Sequence, residues 1–273
     1  MSSFRKDSVF GTVVVALALC LVCSIIVASA AVLLKPTQLR NSELNVKENI
    51  LRAANLISGQ VAAEEIEQKF NLITPRIVDL ETGEYVEPSV VGVNSAIQYD
   101  QFKAAKDPQF SKGLSSGEDL AGIKRRERYA TVYTIEEDGK LDRVILPVRG
   151  YGLWSTLYGF IALQGDANTV IGLGFYQHAE TPGLGGEVDN PNWKAQWPGK
   201  KIYDLEEGNA PEIHLVKGSV NQGDPNAQYQ VDGLAGATLT SRGITNLLKY
   251  WMGGEGFQKY LERIRAGEAN SNV

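Results

Sequence analysis

The residues able to do chemistry in this chain fall into three glycine-rich segments. Gly150-Tyr-Gly-Leu-Trp154 follows a run that reads as a strand, and so does His178-Ala-Glu-Thr-Pro-Gly-Leu-Gly-Gly186. Asp232-Gly-Leu-Ala-Gly-Ala-Thr-Leu-Thr-Ser241 precedes an amphipathic helical pattern. Each segment sets glycines beside an aromatic, a hydroxyl or an acid. Glycine lets the backbone come close to a ligand, and successive amides can then point at it. Gly236-Ala237-Thr238 opening a helix suits a phosphate, because a helix start offers unpaired amides and a partial positive charge. Thr238, Thr240 and Ser241 add hydroxyls. Taken singly, each segment also reads as an ordinary glycine turn, and Thr238 as a helix cap.

Conventional catalysis finds little support. The only histidines are His178 and His214, and no metal-spaced pair or Ser-His-Asp set is evident, so neither catalytic nor metal-ligating residues are expected. A chain without an acid–base set can still do redox work when a cofactor carries the chemistry. The net charge of −5 and the lack of a basic patch set nucleic-acid binding aside. Both cysteines, Cys20 and Cys23, lie in the apolar N-terminus. The rest of the chain therefore has no disulfide, thiolate zinc or iron–sulfur site of its own. Three residues apart on a helix, the two cysteines read as small apolar residues packing against lipid or a partner helix.

The elements that must position these segments follow from periodicity. Val9 to Leu34 is uncharged and, at about 1.5 Å per residue, long enough to cross a hydrocarbon core of about 30 Å. Arg5 and Lys6 precede it; Lys35 and Pro36 end it. Ala28-Ser29-Ala30 resembles a signal-peptide cleavage site, but the apolar run is longer than an ordinary h-region. A retained anchor is expected. Asn41 to Phe70 reads as helical, with a break at Gly59, and Arg76 to Val86 as a short hairpin. Pro88 to Gly122 is polar and irregular. Strands are expected at Tyr129–Ile135, Val144–Val148, Leu157–Leu163, Val170–Tyr176 and Ile213–Val216, with turns at Asp138-Gly139 and Gly165-Asp166. A short helix is expected within 190–197. Ile244, Leu247, Leu248 and Trp251, then Phe257, Tyr260, Leu261 and Ile264, recur at helical spacing. The fold class is α+β: one N-terminal transmembrane helix, then one soluble domain with a mostly antiparallel sheet flanked by helices. The expected divisions are a cytoplasmic stretch at 1–8, a transmembrane helix at 9–34, a helical and mixed part at 35–125, and the site-bearing domain at 126–273.

Asp232-Gly-Leu-Ala-Gly-Ala-Thr238 resembles the flavinylation motif of bacterial FMN-binding domains, and the GYGLW and ETPGLGG segments resemble that family too. With the single span, the whole chain resembles the NqrC family, a family of subunits in the sodium-translocating NADH:quinone reductases. The equivalent flavin subunit of Rnf-type electron-transport complexes is the alternative within the class. A non-redox membrane-anchored binding module is the alternative outside it. The resemblance implies a covalent FMN, joined through its phosphate to Thr238 by a flavin transferase that uses FAD as donor. It implies an FMN site drawn from Asp232, Gly236, Ala237, Thr240, Ser241, Gly152, Leu153, Trp154, Glu180, Thr181, Pro182, Gly183, Leu184 and Gly185. It further implies electron relay between neighbouring membrane subunits of a six-subunit complex, during NADH oxidation, ubiquinone reduction and sodium export. No NADH or quinone site is expected in this chain. The resemblance places it in the bacterial inner membrane, single-pass, with its soluble domain in the periplasm. One departure stands out: the family carries Ser or Thr three residues before the acceptor, where this chain has Ala235.

Overall fold

Helix α1 runs from Val9 to Ala53. Its uncharged stretch reaches a mean hydropathy of 2.9 with none of that window buried, and it is long and apolar enough to cross a membrane. Cys20 and Cys23 are exposed on it. The computed structural model describes residues 9–268; Arg5, Lys6 and the expected cytoplasmic stretch 1–8 lie outside the described residues. Lys35 and Pro36 do not end the first helix as expected; it continues through them. Proline there forgoes one amide to the carbonyl four residues back, and the helical pattern beyond it supports the continuation. The chain leaves the helix at Asn55, whose positive φ of 55° is one that asparagine tolerates.

The chain divides into two compact units, Met1–Asn45 and Val46–Val273. In the second, α2 (Ala63–Phe70) leads into the expected hairpin of β1 (Thr74–Asp79) and β2 (Glu84–Val86). The segment read as irregular is more ordered than its polarity suggests. It holds α3 (Gln101–Lys106), started by the Asp100 carboxylate, which accepts the amides of Phe102 and Lys103. It also holds β3 (Ser111–Gly113), which pairs with β4 (Arg125–Glu127).

The main sheet adds β5 (Tyr129–Glu137), β6 (Lys140–Tyr151), β7 (Thr156–Gln164) and β8 (Val170–Gln177). Its six strands run in the order β2-β1-β5-β6-β7-β8, antiparallel at every pairing. Asp138 and Gly139 turn β5 into β6 with positive φ values of 52° and 73°, the backbone that a two-residue hairpin needs. Because β1 pairs with β5, the expected boundary at 125/126 cuts through a continuous sheet; the structure makes one unit from Val46 onward.

Five further elements follow: α4 (Pro191–Lys194), the short parallel pair β9 (His214–Leu215) and β10 (Gln230–Val231), α5 (Thr238–Met252) and α6 (Gln258–Arg265). The apolar stripe of α5 lies in one core with the sheet. Ile244, Leu247 and Leu248 are fully buried with Leu146, Val148 and Leu157. Each such side chain contributes about 1.5–3 kcal/mol on burial. Trp251 Nε1 donates to the Arg149 carbonyl on β6 at 2.7 Å, fixing the register of the helix along that strand. Nearer its start, Gly243 lets the helix approach the end of β6, where the first glycine segment lies: a Cβ there would stand 2.4 Å from the Tyr151 carbonyl. The observed class is the expected α+β with an antiparallel sheet.

Candidate functional site

Thr238 is the first residue of α5 and is exposed. The residue before it, Ala237, occupies the cap position and is buried, and no side chain caps the helix. Thr238 is therefore not the cap that its sequence position suggested. Among the described residues its hydroxyl has no hydrogen-bond partner. The first amides of a helix have no partner within the helix, so a free hydroxyl stands beside unpaired donors and the positive end of the helix dipole.

The other two hydroxyls of the segment are spent elsewhere. Thr240 is fully buried and donates to Glu180 Oε2 at 2.7 Å. Ser241 is buried, and its Oγ accepts the Leu234 amide at 2.9 Å. Asp232 works through the backbone around the motif. Its Oδ1 accepts the Val220 amide at 2.8 Å, its carbonyl accepts from Trp193 Nε1 at 3.0 Å, and its own amide donates to Gln196 Oε1. The acid thus ties the motif to the loop that follows β9. Gly236 has a φ of +71°, and a Cβ there would stand 3.0 Å from Leu184 Cδ2. The exposed Ala235 and Gly236 line a groove of about 840 Å³ with Thr238, Asp232, Lys217 and Arg242.

Glu180 joins the three glycine segments, a role that its sequence neighbours do not reveal. Its carboxylate accepts the amides of Leu153 (3.1 Å), Trp154 (3.0 Å) and Ser155 (3.2 Å), as well as the Thr240 hydroxyl. Burial opposes the charge, but the bonds from Thr240 and from these amides prevail and hold the carboxyl below its usual range. The sign of the pH dependence follows. Above about pH 4.3, the ordinary glutamate value, the carboxylate contributes its bonds in full; as pH falls through that value to the lower native one, the contribution is lost. The stability gap between the natural chain and Glu180→Gln is expected to be widest near neutral pH and to shrink below about pH 4, as read by denaturation midpoints at stepwise pH. A gap that stays constant down to the acid transition would contradict this role.

Gly185 leaves room for that carboxylate. A Cβ at this position would stand 2.6 Å from Thr240 Oγ1 and 2.8 Å from Glu180 Oε2. Gly185→Ala is expected to cost about 1–3 kcal/mol by overpacking. For a domain of this size that is a fall of several degrees in Tm, measurable by calorimetry. The remaining predicted residues of this segment lie on the surface: Thr181, Pro182, Gly183 and Leu184 form an exposed turn in which the Thr181 carbonyl accepts the Leu184 and Gly186 amides. His178 is structural: its Nδ1 accepts the Glu180 amide and its Nε2 faces Asp189 at 2.9 Å.

Four large apolar side chains stand in solvent at this place: Leu153, Trp154, Leu184 and Leu239, at 36%, 65%, 43% and 51% exposure. Gly152 lies half-buried behind Leu153. A planar aromatic ligand tethered at Thr238 would find apolar contacts here, and its phosphate would find the helix start. Glu180, Thr240, Ser241, Ala237 and Gly185 are buried beneath this surface and hold it in shape.

Residues 152–253, which contain all three segments except the first two residues of the GYGLW run, match the model of the FMN-binding domain family. The chain is 54% identical over 266 residues to the NqrC protein of the Na(+)-translocating NADH-quinone reductase of Pseudomonas aeruginosa, covering 97% of this chain and 99% of that one. This chain belongs to the NqrC family. The corresponding NqrC protein of Pasteurella multocida is 44% identical, with 98% of each chain covered. Among solved structures, NqrC of Shewanella oneidensis superposes with a TM-score of 0.70 at 35% identity, over 81% of this chain and 96% of that one. The NqrC counterpart from Parabacteroides distasonis gives 0.58 at 26% identity, over 88% and 98%. Family membership and the domain match make this an FMN-binding chain.

Proposed function

We propose that this chain is the flavin-bearing electron-transfer subunit of a sodium-translocating NADH:quinone reductase, with FMN esterified through its phosphate to Thr238 Oγ1. One observation carries the assignment of the atom: of Thr238, Thr240 and Ser241, only Thr238 is exposed and, among the described residues, unbonded. The NqrC relatives and the FMN-binding match support the cofactor and the complex.

FMN, when bound, supplies the reversible electron uptake that no side chain in the site offers. The chain's own residues hold and shield it. The start of α5 favours the phosphoester's negative charge, with Lys217 and Arg242 on the same groove. Gly236 takes the positive φ of the turn before Thr238 and leaves room for Leu184 beside it. Leu153, Trp154 and Leu184 offer apolar contact to the ring, and the Glu180 carboxylate keeps the loop that carries Leu153 and Trp154 in place. Gly152 and the Thr181–Gly185 turn complete the pocket in this reading. A covalent link also prevents loss of the cofactor as its charge changes. A flavin transferase installs it, Val9 to Leu34 anchors the chain in the inner membrane, and the soluble domain lies on the periplasmic side among the other membrane subunits. A flavin spectrum that survives denaturing purification is expected from cells that contain the transferase, and none from cells that lack it. A colourless denatured chain from both would overturn the proposal. Protease added to the periplasmic face is expected to cut the soluble domain.

A further inference from the structure

Tyr151 stands between the exposed apolar residues and a second feature. It lines a cleft of about 580 Å³ with Tyr158, Lys106, Lys124, Arg125 and Arg149. No acidic side chain lines this cleft, in a chain whose net charge is −5. Arg149 is neutralised from beneath by buried Glu127. The other three cations form no ion pair among the described residues. The Arg125 guanidinium is held by the hydroxyl and carbonyl of Ser111, both neutral, so its charge is fixed in place and uncompensated.

The loop beside the cleft is set rigidly. Asp119 accepts the amides of Ile123 (2.7 Å) and Lys124 (2.8 Å). The Ala121 carbonyl accepts the Tyr151 amide at 2.7 Å, joining this loop to the first glycine segment. Lys124 itself has a φ of +64°, a left-handed backbone that a lysine adopts only when its surroundings enforce it. Such strain collects at functional positions.

We propose that this cleft is the cationic rim of a docking surface for a neighbouring subunit, receiving an acidic segment of that subunit, with Leu153, Trp154, Leu184 and the flavin they contact as the apolar centre. Two observations select this occupant. The first is charge: three unpaired cations call for several carboxylates at once, whereas a small anion on exposed lysines is largely screened by salt. The second is continuity: Tyr151 connects the cleft to the exposed apolar residues, giving the apolar centre and charged rim of a protein interface. Complementary charge there would speed and orient docking. The inference rests on the chain being an electron-transfer subunit in a complex, and not on which hydroxyl carries the flavin.

The test is zero-length carbodiimide cross-linking of the intact complex, which joins a lysine amine to a carboxylate as an amide. Peptide mass spectrometry is expected to find Lys106 or Lys124 joined to an Asp or Glu of another subunit. The double variant Lys106→Glu/Lys124→Glu is expected to lower NADH:quinone turnover at least tenfold at low salt and to flatten its salt dependence. Its band should still fluoresce, which separates failure here from failure of the flavin assignment. Cross-links through other lysines of this chain but none through these two would overturn the proposal. So would a charge-reversed complex that turns over like the unaltered one at every salt concentration. Loss of turnover without any cross-link, restored by adding anionic lipid vesicles, would assign the cleft to a lipid headgroup and overturn it as well.

Discussion

Thr238→Ala is expected to yield a folded chain that carries no flavin. After denaturing electrophoresis its band should be dark under ultraviolet light, while the unaltered chain fluoresces, and the complex that contains it should lose quinone reduction. The fold should survive because the lost hydroxyl is exposed and has no hydrogen-bond partner among the described residues. Surface changes of this kind stay within about 0.5 kcal/mol, and alanine suits a helix at least as well as threonine. Thr238→Ser retains a hydroxyl at the same place and is expected to retain fluorescence. Thr240→Ala is expected to remain fluorescent at reduced yield, since that hydroxyl supports Glu180 from a buried position. A fluorescent Thr238→Ala beside a dark Thr240→Ala would reverse the assignment.

The second large effect is expected from Glu180→Ala, which removes no proposed ligand contact. The substitution leaves the Thr240 hydroxyl buried without an acceptor, at about 1–3 kcal/mol. It also opens a cavity and frees the amides of Leu153, Trp154 and Ser155. Those amides belong to exposed or half-buried residues that water can reach, so they add less. A total of about 3 kcal/mol is expected, at the upper end for single substitutions. Chemical denaturation of the detergent-solubilised chain measures it. The loop with Leu153 and Trp154 would lose its fixed position, and flavin loading should fall with it. Glu180→Gln keeps one acceptor oxygen and should lose less on both counts. Equal losses for the two variants would show that the charge, and not the bonding pattern, sets the loop.

Much of this was legible in the sequence, for reasons of scale. Strands β5 to β8 carry apolar runs of five or more residues, long enough for the pattern to show, and Asp138-Gly139 marks its own turn. The stripe Ile244, Leu247, Leu248, Trp251 identified α5 and so placed Thr238 at a helix start. Other features had no local signal. Strand β10 has two residues, too few for any period, although its partner β9 lies within the expected strand Ile213–Val216. The course of α1 past Pro36 depends on Ile50 and Leu51 being buried by a distant part of the chain. Glu180 was visible as a site residue but not as the link among three segments, because its partners lie 25 to 60 residues away. The distinction among Thr238, Thr240 and Ser241 has the same origin. Helical spacing turns Thr240 and Ser241 inward, but only the tertiary partners Glu180 and Leu234 show that their hydroxyls are taken. The cationic cleft joins α3, the loop after Gly122 and β6, elements far apart in the chain.

The most direct measurement is the mass of the tryptic peptide from Gly218 to Arg242, which holds all three candidate hydroxyls, fragmented to locate any added group. FMN on Thr238 is the expected result in protein from cells that contain the flavin transferase. FMN on Thr240 or Ser241, or an unmodified peptide from those cells, would contradict the assignment.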